Sequence, residues 1–229
     1  MRHHGGRFHL IAATVLGLSL AGCTAASPAV TPNVLVEQAA AKTAALKSVT
    51  FELVRVGEPV LLDPTSGIRF STAGGEYQAP DRVSARVKVT AGGAVLPLDM
   101  RWLPEGFYSS NPFTGVLEKQ PAAPGFNPAT LVRSELAGLL RSSLRNLTLV
   151  GTEKIGSAEA HHIRAEADGT NLRALTGGVV APGLHTVDLY IDVATSQLLR
   201  LVDAEPSGSP NGWRLELSNF DRPVEIKAP

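Results

Sequence analysis

The chain has 229 residues, of which 44% are hydrophobic and 18% are charged, and its 21 basic residues balance its 21 acidic ones. A balanced charge without a run of basic residues argues against a nucleic-acid partner. A single cysteine excludes an intramolecular disulfide, so a hydrophobic core has to hold the fold together.

The N-terminus has the pattern of an export signal. Arg2 and Arg7 precede an apolar run over residues 8–20, which is too short to cross a bilayer. The run leads into the sequence Leu20-Ala21-Gly22-Cys23, which matches the bacterial lipobox. In a lipobox the cysteine sulfur receives a diacylglycerol, the signal is cut before it, and the cysteine becomes the new N-terminus.

This pattern divides the chain into three parts. We predict a lipoprotein signal peptide at 1–22, lipidation of Cys23 within a flexible tether at 23–32, and one domain at 33–229. Acyl chains on Cys23 would anchor the protein to the outer face of the cell membrane. An ordinary signal peptide with an incidental cysteine is the alternative.

The first part of the domain predicts one helix and several strands. Alanine-rich sequence predicts a helix over 33–48, with Thr31 as its cap. Alternating apolar and polar residues predict strands at 49–53 and 68–72 and a hairpin over 82–102.

Residues 111–128 contain four prolines and predict a loop, which is a candidate rim for a binding site. A short helix is predicted to start at Pro128, and a stronger one begins at Ser134. A helical turn over 170–175 should stop at Gly177-Gly178. Further strands are predicted at 106–108, 148–155, 161–167, 185–192, 197–203 and 213–219.

Short links between neighbouring strands favour antiparallel pairing. The pattern therefore predicts an α+β fold, in which one large curved antiparallel sheet has a few helices packed on one face. A space between sheet and helices could be filled by side chains or could hold a ligand.

Several segments of the chain resemble a known family, and it is their order and spacing that make the resemblance specific. They are Gly75–Arg82, Val87–Thr90, Tyr108–Gly115, Phe126–Ala129, Leu149–Glu153 and Leu217–Val224. Together with the lipobox they resemble the LppX/LprAFG family of actinobacterial cell-envelope lipoproteins. The chain departs from that pattern at Tyr190, where a tryptophan is often found.

The resemblance implies a LolA/LolB-like half-barrel with an apolar cavity. It implies that the protein binds an acylated lipid or glycolipid and carries or presents it in the envelope, with an envelope transporter as a further partner. Strand and helix alternation supplies the cavity candidates, although the same residues could close an ordinary filled core. They are Val87, Val89, Leu98, Met100, Trp102, Leu136, Leu139, Leu140, Leu189, Ile191, Leu199 and Leu215.

The sequence lacks the common signatures of catalysis. It contains no Gly-x-Ser-x-Gly elbow, no His-Glu-x-x-His motif and no glycine-rich phosphate loop. His161 and His162 are adjacent in a predicted strand, so their side chains should point to opposite faces and not share a metal. We therefore predict a protein that is not an enzyme, without catalytic residues, metal or cofactor. A protein-interaction or sensor module with a filled core is the alternative, and a hydrolase of envelope material is a more distant one.

Overall fold

One antiparallel sheet dominates the computed structural model, which describes residues 31–63, 65, 67–121, 128–206 and 208–229. The predicted signal peptide, Cys23 and most of the tether lie outside these ranges. The strands are β1 (Ser48–Val56), β2 (Val60–Asp63), β3 (Ile68–Gln78), β4 (Arg82–Ala91), β5 (Ala94–Leu103), β6 (Gly106–Ser110), β7 (Leu117–Lys119), β8 (Leu144–Ile155), β9 (Ala158–Asp168), β10 (Leu184–Asp192), β11 (Leu198–Ala204) and β12 (Gly212–Ser218).

Eleven of the twelve strands follow one another in the order β7-β6-β5-β4-β3-β1-β12-β11-β10-β9-β8, and β2 pairs with the first residues of β3. The first and last strands of the domain therefore meet in the middle of the sheet, where β1 pairs with β12. The predicted curved antiparallel sheet with helices on one face is confirmed. The predicted hairpin over 82–102 is confirmed as β4 and β5.

Helix α1 (Pro32–Ala44) begins near its predicted start but ends four residues early. Ser48 was predicted to close the helix and instead begins β1, because its hydroxyl and carbonyl bond to the backbone of Arg222 and Asp221. Thr31 is the cap residue but its side chain makes no capping bond. Within the described part of the chain, no helix is long and apolar enough to cross a bilayer.

Two further helical segments cover the sheet. The first runs over 128–143, where α2 (Pro128–Thr130) continues into wide π-helical turns at Leu131–Leu136 and Leu139–Ser143. The second runs over 169–176, where α3 (Gly169–Leu172) continues into the 3₁₀ turn Arg173–Thr176. Gly177 ends it in the left-handed conformation, with φ of 64°, as its position predicted.

Strand β3 is longer than the predicted 68–72 because it continues through two glycines. A side chain on Gly75 would collide with the backbone carbonyl of Ser84 on β4. Glycine at this position therefore marks a close approach of two strands, not a turn.

A β-bulge in β11 changes the face on which Leu199 lies from the predicted one. Ile191 on β10 pairs with Leu198 on β11, and Leu189 pairs with Leu201, so Leu199 is one of two residues that oppose Tyr190. Leu198 and Leu201 are buried in the core, whereas Leu199 does not join it. The simple alternation that placed Leu199 on the inner face was wrong because it could not include the extra residue.

Candidate functional site

A cavity of 740 Å³ lies between the sheet and the two helical segments that cover it. Its sheet wall comes from the central and β5-side strands. The residues of that wall are Phe51 and Leu53 of β1, Phe70 and Ala73 of β3, Ala85 and Val87 of β4, Met100 and Trp102 of β5, and Trp213 and Leu215 of β12. Helical residues from 128–135 and 173–178 form the opposite wall.

The room in the cavity comes from small side chains in the middle of the sheet. Gly75, Ala85 and Met100 lie on one line across β3, β4 and β5. Ala73 lies beside Leu53 and Val87 on the neighbouring line. Two alanines and a glycine at the centre of a curved sheet leave space that large residues would have filled.

Aromatic contacts hold the large side chains of the wall in place. The rings of Phe70 and Trp213 lie 5.6 Å apart, and those of Trp102 and Phe107 lie 4.9 Å apart. The guanidinium of Arg55 lies 5.2 Å from the centre of the Trp213 ring and is itself bonded to Glu205 at 2.6 Å. These tilted ring pairs and the cation–π contact fix the shape of the wall.

The two charged residues of the cavity lining lie where the helical segments reach the surface. Glu135 and Arg173 line it and have exposed side chains, and Thr130 lies beside them on α2. Leu62 of β2 is also part of the lining and is 44% exposed, so the cavity reaches the surface beside it. An apolar interior with a polar mouth suits an amphiphilic ligand.

A buried histidine–aspartate pair fixes the loop that follows the second helical segment. His185 Nδ1 lies 2.7 Å from Asp203 Oδ1, and its Nε2 donates to the carbonyl of Ala181 at 2.9 Å. Burial raises the pKa of Asp203, and His185 opposes that rise. Nε2 must carry a proton because it donates to a carbonyl. The short contact between Nδ1 of His185 and Oδ1 of Asp203 therefore contains a second proton, which the two atoms share in a hydrogen bond. The pair thereby ties β10 and β11 to the loop that begins with Gly177 and Gly178 of the cavity lining.

The outer face of the sheet carries the other histidine contact. His162 Nδ1 lies 2.7 Å from Glu153, its Nε2 lies 2.7 Å from Asp188, and its ring stacks on Tyr190 at 4.6 Å. Tyr190, the residue at which the chain departs from the family pattern, therefore lies away from the cavity. In the described ranges, no group of three or more His, Cys, Asp or Glu side chains is arranged so that it could hold a metal ion.

The structure places the predicted cavity residues in three groups. Val87, Met100, Trp102 and Leu215 line the cavity. Leu98 is partly buried against the core, and Leu199 lies outside it. The remaining candidates are fully enclosed in the core and do not reach the cavity: Val89, Leu136, Leu139, Leu140, Leu189 and Ile191. Contact of any of them with a ligand stays a prediction.

Several lining residues were not among the predicted ones. Phe51 and Leu53 alternate on a predicted strand, and Trp213 shares a predicted face with Leu215, so their pattern could have included them. Ala85 shares a predicted face with Val87, whereas Ala73 lies beyond the predicted strand 68–72. Neither indicated a cavity, because a small side chain lines a cavity only when its neighbours leave room. Of the predicted rim at 111–128, only Pro128 lines the cavity among the described residues, and 122–127 lie outside them.

Comparison with known proteins identifies relatives of this fold. The LppX_LprAFG lipoprotein family profile matches residues 31–226. The crystal structure of LprF from Mycobacterium bovis is similar, with 15% identity, a TM-score of 0.69 and coverage of 86% of this chain and 96% of that one. Mycobacterium tuberculosis LppX is also similar, with 18% identity, a TM-score of 0.61 and coverage of 86% and 98%. No curated protein sequence is significantly similar to the chain.

Proposed function

The chain belongs to the LppX/LprAFG family of lipoproteins, and on that premise we propose that it binds an acylated lipid or glycolipid in the cavity and carries or presents it in the cell envelope. The observation that carries the proposal is the 740 Å³ apolar cavity with a polar mouth. Its volume falls within the range typical of small-molecule sites.

The driving force for this binding is the removal of acyl chains from water. Each buried CH₂ contributes about 0.8 kcal/mol, so a chain of about 16 carbons would contribute on the order of 10 kcal/mol before the costs of association. Phe51, Leu53, Val87 and Leu215 offer apolar contacts, and Met100 adds an adaptable one. The polar head would remain at the mouth, within reach of Glu135 and Arg173.

The proposal includes the membrane anchor. Lipidated Cys23 would hold the domain at the outer face of the cell membrane, close to the lipids that it takes up. Binding and release need no covalent step, so no catalytic residue is required. An envelope transporter that receives the lipid stays a prediction. The alternative of an interaction module supposes a filled core, and the cavity argues against it.

Mass spectrometry of bound lipid tests the proposal. The chain from residue 24 onward is purified without detergent, extracted with organic solvent and analysed for acylated lipids. We expect near-stoichiometric lipid in the native chain. Met100→Trp should bind much less lipid, because its indole ring fills part of the cavity. Thr186→Trp is the matched control, because Thr186 is exposed between two buried residues of β10 and faces away from the cavity. A clean extract, with no uptake when lipids are added back, would sink the proposal.

A further inference from the structure

Exposed apolar side chains gather at one end of the sheet. We call it the open end: it is where β1, β2 and β4 finish and where β5 and β10 begin. Leu61, Arg69, Thr90 and Val95 lie on one line across β2, β3, β4 and β5. The large hydrophobic residues exposed at this end are Val56, Leu61, Leu62, Val95, Phe113, Val116 and Leu184.

Phe113 is the most exposed of these residues, at 92%. Its loop joins β6 to β7 and projects toward the open end, because β6 runs in the same direction as β4. The side chain of Asn111 accepts hydrogen bonds from the backbone N–H groups of Phe113 at 2.9 Å and Thr114 at 3.3 Å. The backbone N–H of Asn111 also donates to the carbonyl of Val116 at 2.9 Å. A braced turn therefore holds the phenyl ring in solvent.

The opposite end of the sheet, the closed end, is covered by the C-terminal segment. Asp221 donates its backbone N–H to the Ser48 carbonyl at 2.9 Å, and the Ile226 N–H donates to Gln78 at 2.8 Å. The Ile226 side chain is buried there. Among the described residues, Val193 is the one large hydrophobic side chain exposed in the turns of this end. Most of the exposed large hydrophobic residues therefore lie at the open end. Val34 of α1 and Leu149 and Val150 of β8 are also exposed, but they belong to neither end.

The cavity meets the surface at the open end. Leu62 lines the cavity and also belongs to the exposed apolar set. A partner that binds the open end would therefore lie beside the entrance through which a ligand reaches the cavity. Large apolar residues that are exposed together at one end of a fold mark an interaction surface.

The length of chain before the domain points to the occupant. Thr31 lies eight positions after Cys23, and an extended chain of that length spans at most about 28 Å. A lipid on Cys23 therefore keeps the domain within roughly its own diameter of a bilayer, at a high effective concentration. Apolar side chains with an aromatic residue bind the boundary between headgroups and acyl chains.

We propose that the open end docks on the surface of the lipid bilayer, with Phe113, Leu62 and Val95 entering the headgroup region and the cavity mouth facing the membrane. This inference rests on the proposed function through the anchor at Cys23. After removal of residues 1–22 the chain has 19 basic and 21 acidic residues, so attraction to anionic lipid does not drive the docking and the docking withstands salt.

A site-specific probe tests this orientation in the full lipidated chain. Because Cys23 is the only cysteine, its lipidation leaves Phe113→Cys as the single free thiol, and the 92% exposure of this position makes labelling harmless to the fold. The variant is labelled with an environment-sensitive fluorophore and reconstituted in phosphatidylcholine vesicles that contain a lipid spin-labelled near the headgroup. Val193→Cys at the closed end is the matched control.

We expect the spin label to quench the probe at position 113 about twofold or more, with a blue shift, and to leave the probe at 193 unchanged in low and high salt. Quenching that is absent at 113, or equal at 113 and 193, would overturn the docking, and a protein partner would then be favoured for the open end. A chain that fails to reconstitute because Cys23 carries no lipid would overturn the anchor and the docking together. The fluorescence measurement does not require a lipid in the cavity. If no bound lipid is found by mass spectrometry, the docking can therefore still be tested.

Discussion

The two halves of the sheet have similar apolar strands but different interiors. In the half formed by β8 to β11, the helices pack directly on the sheet, and Leu189 and Ile191 are fully enclosed. In the half formed by β1, β3, β4, β5 and β12, the same kind of alternation borders a cavity. We call these the filled half and the cavity half.

The difference arises from residue size and from what lies above each half. Helix α1 packs against β8 and β10 with its buried face, in which Ala39 and Ala40 allow a close approach. In the cavity half, Ala73 and Ala85 lie in the sheet itself, and no part of α1 lines the space above them. The filled half also has small residues in the sheet, Ala165 and Ala167 of β9, but there the helices cover them closely. Small residues in the sheet therefore open a cavity only where α1 does not lie above them.

The largest expected effect comes from truncating matched leucines in the two halves. Leu189→Ala should lower the free energy of unfolding by about 4 kcal/mol, because it leaves a new void in a packed core. Leu215→Ala should lower the free energy of unfolding by about 2 kcal/mol less than Leu189→Ala does, since Leu215 already borders empty space. Urea unfolding measures both values, and equal costs would show that the two interiors are packed alike.

The buried pair between His185 and Asp203 supports the loop beside the cavity. Asp203→Ala should cost about 3 kcal/mol, because it leaves a buried imidazole nitrogen without its partner. Hydrogen exchange should also quicken at the amides of 177–183, which the pair holds. An unchanged exchange rate there would mean that the pair does not position the loop.

A pair of alanines tests the available space directly. Ala167→Leu in the filled half should cost about 2 kcal/mol through overpacking. Ala85→Leu in the cavity half should be close to neutral in thermal unfolding, because its added atoms enter the cavity. A cost at Ala85 that matched the cost at Ala167 would contradict a cavity at this position.

The smallest effect is expected on the outer surface behind the cavity. Arg86 and Asp99 form an exposed ion pair at 2.7 Å, and the hydrogen bond from Arg86 lowers the pKa of Asp99. The small stabilisation from this ion pair is present above the ordinary carboxyl pKa and is lost as the pH falls through the lowered pKa of Asp99. Arg86→Ala, compared in low and high salt by urea unfolding, should show a difference only in low salt. A cost that salt leaves unchanged would contradict this.

Local patterns predicted ten of the twelve strands, the hairpin β4–β5 and the stop at Gly177, because each depends on residues close in sequence. The short strands β2 and β7 were not predicted, and β7 lies within the predicted loop 111–128. Which residues line the cavity depends on packing between segments that are distant in the chain, and the alternation of apolar and polar residues does not encode that packing. Leu189 has the same strand alternation as Val87 and Met100, and only the position of α1 over the filled half separates it from them. The bulge at Leu199 and the open space at Ala85 likewise follow from neighbours distant in the chain.

Tryptophan fluorescence tests the central claim most directly, since the chain has two tryptophans and both Trp102 and Trp213 line the cavity. The purified protein is titrated with an acylated lipid that carries bromine on its acyl chain and with the same lipid without bromine. Our account predicts that the brominated lipid quenches most of the emission and that its unbrominated counterpart does not. Binding without quenching, or no binding of either lipid, would contradict it.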